Sequence, residues 1–125
     1  MRLVICDDDP VIRYLLEVVL GKRGGHDVRS VEHPEDVNQA VIDHQPDLVL
    51  LDYVMPRRTG LEVLEELRAD PETATVKVVF LTGRVDIADE ASLDALGVVG
   101  VIEKPFDTAT LADRLVELAG RPISS

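Results

Sequence analysis

Short apolar runs alternate with longer amphipathic stretches along the whole of this 125-residue chain. Alternation of this kind predicts βαβ units around a parallel sheet. Apart from the second, these runs are nearly continuous in Val, Ile and Leu, which is typical of strands that helices cover on both faces. The second run alternates apolar with polar residues and predicts an edge strand. The five runs are residues 3–6, 28–31, 48–51, 76–81 and 98–102.

Between these runs, apolar residues recur at the spacing of one helix face, which predicts five helices. Gly24, Pro34, Pro46, Pro71 and Gly97 stand where helices commonly begin or end. The fold class is therefore α/β, a doubly wound parallel sheet. We expect the first helix to bury a face formed by Val11, Leu15, Val18 and Val19. The fourth helix should span residues 86–96. Asp107 or Thr108 should cap the last helix.

Composition fits one ordinary globular domain, with 46% apolar and 30% charged residues. Aromatic residues make up only 3%, so the core must be built from Val, Leu, Ile and Ala. We expect a single domain over residues 1–120, followed by a short frayed tail, 121–125. This tail is too short to carry an effector.

The formal net charge of -11 disfavours binding to nucleic acids and to anionic membranes. The single cysteine, Cys6, cannot form an internal disulfide, and no signal segment opens the chain. No apolar run reaches the length of about 20 residues that a membrane-spanning helix needs. We therefore expect a soluble protein of the reducing cytoplasm.

Acidic side chains follow two of the predicted strands, where ligands bind in open α/β sheets. Asp7 and Asp8 follow the first strand and Asp52 follows the third. Neighbouring strands lie about 4.8 Å apart, so these carboxylates should raise one another's pKa. Mg²⁺, which prefers oxygen ligands, would neutralise them. Taken alone, the acidic run can equally be a solvated turn and helix cap, the role we expect for Asp9.

A hydroxyl and an ammonium group end the fourth and fifth strands at the same rim, at Thr82 and Lys104. An acidic cluster needs neither group, whereas a phosphoryl group needs a carboxylate to accept it, a cation to screen it, and a lysine and a hydroxyl to bind its oxygens. Three carboxylates carry a charge of about -3, which Mg²⁺ and Lys104 would balance.

Four segments of the chain resemble the signatures of response-regulator receiver domains, and they occur in the order found in that family. They are ICDDDP at 5–10, LLDYVMP at 50–56 with Gly60, FLTG at 80–83 and EKPF at 103–106. The resemblance implies a flavodoxin-like sheet of order 2-1-3-4-5 with five helices. It also implies a cis peptide bond between Lys104 and Pro105.

The same resemblance implies the roles of the site residues. Asp52 would be the phosphoacceptor, Lys104 would bind the phosphoryl oxygens and Thr82 would be the switch hydroxyl. Mg²⁺ would be the cofactor, held by Asp7, Asp8, Asp52 and the backbone carbonyl of Val54.

The resemblance further implies the partners. A sensor histidine kinase or a phosphotransfer protein would donate the phosphoryl group. The fourth and fifth helices would then contact an output protein, a fused effector or a second copy of the chain. Such a domain catalyses its own phosphorylation and slow dephosphorylation, and it is a signalling domain rather than an enzyme.

Two residues depart from common patterns. Many family members carry an aromatic ring where this chain has Val101, so a rotating ring cannot transmit the signal here. Val54 stands where aspartyl-phosphate phosphohydrolases place a second aspartate as general acid, which disfavours that alternative function. Val54 and Arg84 could also tune the lifetime of the phosphorylated state. A receiver-like interaction module that works without phosphorylation remains the other alternative.

Overall fold

The computed structural model describes residues 1–83 and 90–123, except for the side chains of residues 90–92. Its five strands are β1 (Arg2–Cys6), β2 (Asp27–Val31), β3 (Leu48–Asp52), β4 (Val78–Thr82) and β5 (Val98–Glu103). All neighbouring strands are parallel, and their order is β2-β1-β3-β4-β5. The expected flavodoxin-like order is therefore confirmed, with β2 at one edge of the sheet.

Five helices connect and cover the strands, as expected. The first, α1 (Pro10–Leu16), continues as a π-helical segment, Glu17–Arg23. A 3-10 turn, Pro34–Asp36, leads into α2 (Val37–His44). The remaining helices are α3 (Gly60–Ala69), α4 (Glu90–Ala95) and α5 (Leu111–Ala119). Residues 84–89, which include Arg84 and the first part of the expected fourth helix, lie outside the described residues.

Hydrogen bonds from side chains set the starts of two helices beside the carboxyl ends of the strands. Asp9 is the N-cap of α1, and its carboxylate accepts a bond of 2.9 Å from the backbone N of Val11, which confirms its expected role. Thr59 and Glu62 form a reciprocal capping box at the start of α3. The caps therefore fix both loops that carry the acidic residues.

The last helix begins later than expected. Asp107 does not cap α5 directly: its carboxylate accepts a bond from the N of Ala109 and starts a turn that precedes the helix. Thr110 occupies the N-cap position, and its side chain makes no capping bond. The Asx turn at Asp107 thus competed with helix formation, as short polar side chains often do.

Two apolar cores lie on opposite faces of the sheet. Helices α1 and α5 cover one face, where Leu16, Leu115 and Leu118 pack against strand residues such as Ile5 and Leu50. Helices α2, α3 and α4 cover the other face. Most of these strand residues are buried completely, as expected for a parallel sheet between helical layers.

The buried face of the first helix agrees only in part with the expected one. Val19 is buried and Leu15 packs partly buried against the core, as expected, but Val11 is 71% exposed, and Leu16 and Leu20 are buried as well. Apolar residues occupy most positions between 11 and 20, so periodicity alone could not choose among the possible faces. Packing against the sheet made the choice and left Val11 in solvent.

The C-terminal tail is not frayed at its start, contrary to expectation. The Arg121 side chain donates a hydrogen bond of 3.2 Å to the carbonyl of Val99, at the beginning of β5. Its backbone N also bonds to the carbonyl of Leu118. These contacts hold the first tail residue against the edge of the sheet.

Gly60 permits the close approach of α3 to the end of β3. A Cβ atom at this position would lie 2.8 Å from the carbonyl oxygen of Asp52 and 2.9 Å from the Cα of Tyr53. Both atoms belong to the backbone and cannot move as a flexible side chain can. The absence of a side chain at Gly60 therefore helps to set the position of Asp52.

We predict that Gly60→Ala lowers the free energy of unfolding by about 1 to 3 kcal/mol, the usual cost of overpacking. Urea unfolding monitored by circular dichroism measures this change. Gly21→Ala is the matched control, because its Cβ would meet only ordinary contacts at 3.7 Å or more. Equal stability of the two variants would contradict the prediction.

Candidate phosphoacceptor site

Three carboxylates meet at the carboxyl ends of the two central strands. Asp7 and Asp8 follow β1, and Asp52 is the last residue of β3, the neighbouring strand. One carboxylate oxygen from each residue lies within 4.8 Å of those from the other two. Asp7 is fully buried and Asp52 is 5% exposed. The structure thus brings together the three acidic residues that the sequence placed at strand ends.

Lys104 brings a positive charge to this cluster from the end of β5. Its Nζ atom lies 3.0 Å from an Asp7 oxygen and 3.4 Å from an Asp52 oxygen. The peptide bond between Lys104 and Pro105 is cis, as expected. The lysine therefore bridges the two buried carboxylates directly.

Thr82 ends β4, between the strands that carry Asp52 and Lys104. The β3–β4 register pairs Asp52 with Leu81, one residue before Thr82. The backbone carbonyl of Thr82 accepts a bond of 2.7 Å from the N of Lys104, and the residue is only 1% exposed. The predicted acceptor, hydroxyl and lysine residues therefore follow one another along the same edge of the sheet.

Asp52 is electrostatically unusual. Burial, and after it the negative charge of Asp7, raise its pKa from 3.8 to about 7. The positive charge of Lys104 and a hydrogen bond of 3.3 Å from the backbone N of Val54 oppose this shift. Ionised Asp52 therefore needs more positive charge than Lys104 supplies.

Lys104 responds to the same environment. Burial alone would lower the pKa of its ammonium group, but the hydrogen bond to Asp7 and the attraction of Asp52 outweigh burial and raise it. Lys104 therefore stays protonated at neutral pH, as an anion-binding lysine must.

The carboxylate cluster has the donor set that a hard divalent cation requires. Three oxygen ligands within a small volume suit Mg²⁺, which keeps several water ligands and takes few carboxylates. Among the described residues, this is the one group of His, Cys, Asp and Glu side chains arranged to hold a metal ion. Within that part of the chain, His26, His33 and His44 contribute to no such group.

Other residues singled out in the sequence lie around this site. The side chain of Val54 is solvent-accessible, with 60% of the residue exposed. Val101 pairs with Phe80 across β4 and β5 and packs, partly buried, against the core. Cys6 is buried, and its burial together with the negative charges of Asp7 and Asp52 raises the pKa of its thiol to about 12, which leaves the thiol unreactive at neutral pH.

Arg13 is a site residue that the sequence did not reveal. Its Nη1 atom donates a hydrogen bond of 2.8 Å to the backbone carbonyl of Asp7. An arginine on a helix that bonds to a backbone carbonyl has no characteristic spacing in the sequence. The one hint in the sequence is that Arg13 lies on α1, six residues after Asp7, and this spacing alone does not predict the contact.

The fold and the pocket together define a class: doubly wound α/β domains with an acidic, lysine-containing site at the point where strand order reverses. Residues 3–116 match the model of the response regulator receiver domain. The chain belongs to this family, and it is a receiver domain of two-component signal transduction.

Two proteins of Pseudomonas aeruginosa illustrate the relationship. The chain is 33% identical over 110 residues to the protein PilH, covering 88% of this chain and 90% of PilH. It is 28% identical over 113 residues to the phosphate regulon transcriptional regulatory protein PhoB, covering 90% of this chain and 49% of PhoB. The chain thus spans about half the length of PhoB and of other transcriptional regulators that it matches.

A solved structure shows the same fold. The receiver domain of the sensor histidine kinase PA1611 from Pseudomonas aeruginosa PAO1 superposes with a TM-score of 0.81 and 23% identity, covering 96% of this chain and 98% of that one. That domain has a magnesium ion coordinated in its active site cleft. In the present chain, none of the helices that the structure describes is long and apolar enough to cross a membrane.

We predict that Asp52→Asn stabilises the metal-free protein, and that the gain grows with pH. Because the pKa of folded Asp52 is about 7 and its ordinary value is 3.8, the folded state loses stability as pH rises between these values. The asparagine variant lacks this loss, so its advantage should vanish near pH 4 and reach roughly 1 to 4 kcal/mol above pH 7. Urea unfolding in EDTA at pH 4, 6 and 8 measures it. A gain independent of pH would contradict the prediction.

Proposed function

We propose that Asp52 accepts a phosphoryl group, with Mg²⁺ held by Asp7, Asp8, Asp52 and the backbone carbonyl of Val54. The observation that carries this proposal is Lys104 Nζ, which lies between Asp7 and Asp52 at 3.0 and 3.4 Å. A lysine beside a buried carboxylate can bind the oxygens of a phosphoryl group attached to that carboxylate. The hydroxyl of Thr82, at the neighbouring strand end, completes the binding groups.

In the proposed reaction, a carboxylate oxygen of Asp52 attacks phosphorus. A P–O bond to Asp52 forms, and the P–N bond of a phosphohistidine, or the P–O bond of a small acyl phosphate, breaks. Asp52 must be ionised to attack, although burial and Asp7 raise its pKa to about 7. Bound Mg²⁺ would supply the positive charge that keeps Asp52 ionised and screens the phosphoryl oxygens.

We propose a sensor histidine kinase or a phosphotransfer protein as the donor. Phosphorylation then shifts a balance between two conformations, and the output surface comprises α4, β5 and α5. A groove of about 380 Å³ runs along this surface and is lined by Leu93, Val98, Val101, Arg114 and Arg121 among others. Val116, on α5, is 50% exposed. Apolar and charged side chains at the edge of the sheet suit a protein partner or a second copy.

Residues 1–120 would form the signalling unit, acting alone or joined to an effector. We place it in the cytoplasm, where a free thiol such as Cys6 stays reduced. The domain would catalyse only its own phosphorylation and slow dephosphorylation. Turnover of phosphate monoesters is disfavoured, because the residue two positions after Asp52 is Val54 and offers no general acid.

We predict that incubation with Mg²⁺ and acetyl phosphate gives a phosphoryl adduct that hydroxylamine removes. Intact-mass spectrometry measures the adduct, and EDTA should abolish it. Asp52→Ala should lose it completely, because the acceptor oxygen is gone. If the native protein forms no adduct, or if the adduct persists in Asp52→Ala, the assignment is wrong and a phosphorylation-independent module is the better interpretation.

We predict that Thr82→Ala accepts the phosphoryl group yet transmits it poorly. Without the hydroxyl, the phosphoryl oxygens lose a partner on β4, so the coupling of about 1 to 3 kcal/mol that is typical of such switches should largely disappear. The measurement is the change in amide NMR shifts of α4 and β5 on phosphorylation. Thr82→Ser, which keeps the hydroxyl, is the control and should retain most of the change. Equal changes in the amide shifts of the two variants would show that the Thr82 hydroxyl does not transmit the signal.

A further inference from the structure

Arg13 reaches back from α1 to the loop that carries the carboxylates. Its guanidinium donates to the backbone carbonyl of Asp7 at 2.8 Å. Asp7 is fully buried and lies just beyond the last paired residue of β1, so its carbonyl is outside the ladder of the sheet. Arg13 forms no salt bridge with any carboxylate of the described residues. Within the described part of the chain, the Arg13 side chain makes one hydrogen bond, and its acceptor is a main-chain atom of the site.

This bond completes a set of three that holds Asp7 from three directions. One carboxylate oxygen accepts from the backbone N of Asp9 at 2.9 Å, and the other accepts from Lys104 at 3.0 Å. The bond from Arg13 fixes the carbonyl, and hence the peptide plane that leads to Asp8. A buried carbonyl without a partner is costly, so the loop would reorient if the arginine were lost.

We propose that Arg13 is a positioning residue for the magnesium site: by holding the Asp7 carbonyl, it fixes the direction in which Asp8 presents its carboxylate to the metal. This inference rests on the proposed function, since it assumes that the carboxylates bind Mg²⁺. Arg13 touches neither the phosphoryl group nor the metal in this role. It acts through the loop of residues 7–9.

Charge and geometry predict opposite effects of removing Arg13. A positive charge near three carboxylates repels Mg²⁺, so on electrostatic grounds alone a neutral side chain would make the metal bind more tightly. Loss of the bond to Asp7 would loosen the loop and make the metal bind more weakly. Partners that orient metal ligands in this way typically contribute about 10- to 100-fold in affinity. Whether Mg²⁺ affinity rises or falls therefore distinguishes an electrostatic role of Arg13 from a positioning role.

The test is a calorimetric titration of the EDTA-stripped 125-residue chain with Mg²⁺ alone. We expect Arg13→Met to weaken Mg²⁺ binding by about 10-fold or more. Arg13→Lys, which keeps a charged donor on a shorter side chain, should fall between Arg13→Met and the wild type. Arg29→Met is the matched control, because Arg29 is an exposed arginine of β2 and its replacement changes net charge equally. Its affinity should equal that of the wild type.

A second readout separates positioning from general damage. The rate of adduct formation from acetyl phosphate is followed against Mg²⁺ concentration. In Arg13→Met the half-saturating concentration should rise about 10-fold while the plateau rate stays within about twofold, because saturating metal restores the loop. Should Arg13→Met fail to fold by circular dichroism, Arg13→Gln, whose amide is too short to repeat the bond, is measured against the same expectation.

The outcomes are distinct. Unchanged or tighter Mg²⁺ binding by Arg13→Met, beside a wild type that binds Mg²⁺, overturns this inference and leaves the proposed function standing. A lower plateau rate with an unchanged half-saturating concentration also overturns it. A wild type that binds no Mg²⁺ overturns the proposed function and this inference together.

Discussion

The crowding of three carboxylates at one edge of the sheet is the constraint on which the rest of the site depends. Parallel strands all end at the same edge, so residues that are distant in sequence, such as Asp7 and Asp52, become neighbours in the structure. Positive charge near the carboxylates stabilises the site. Lys104 supplies some of this positive charge. Because the pKa of Asp52 is still raised, the charge of Lys104 does not fully compensate the carboxylates. An unsatisfied need for positive charge is what makes the pocket suited to a cation.

The three carboxylates occupy different environments. Asp7 is buried and bonded on every side that the structure describes, by Asp9, Arg13 and Lys104. Asp52 is buried but has the most perturbed charge, and Asp8 extends from the loop that Asp7 anchors. Asp7 is therefore the most firmly held of the three, although each of them offers one ligand oxygen to the group. This arrangement explains how an acidic run of three residues can be more than a solvated turn.

The route from the pocket to the surface cannot rely on a rotating ring at Val101. Phe80 lies opposite Val101 in the sheet and makes an edge-to-face contact with Tyr53, with ring centroids 5.2 Å apart.

At the other end of the strands, Arg68 donates to the carbonyls of Val76 and Leu96, each at 2.6 Å, and so ties the turn after α4 to the loop before β4. Helix α4 is thus anchored at its C-terminal end.

The sequence by itself determined the α/β class, and it placed Asp52, Thr82 and Lys104 at strand ends, because polar residues interrupt apolar runs where parallel strands end. Tertiary structure decided what periodicity leaves open. It left Val11 exposed, since an apolar stretch with several possible faces is resolved only by packing against the sheet. It also decided the role of Arg13, because a side chain that bonds to a backbone carbonyl depends on where the chain folds back and not on any residue pattern.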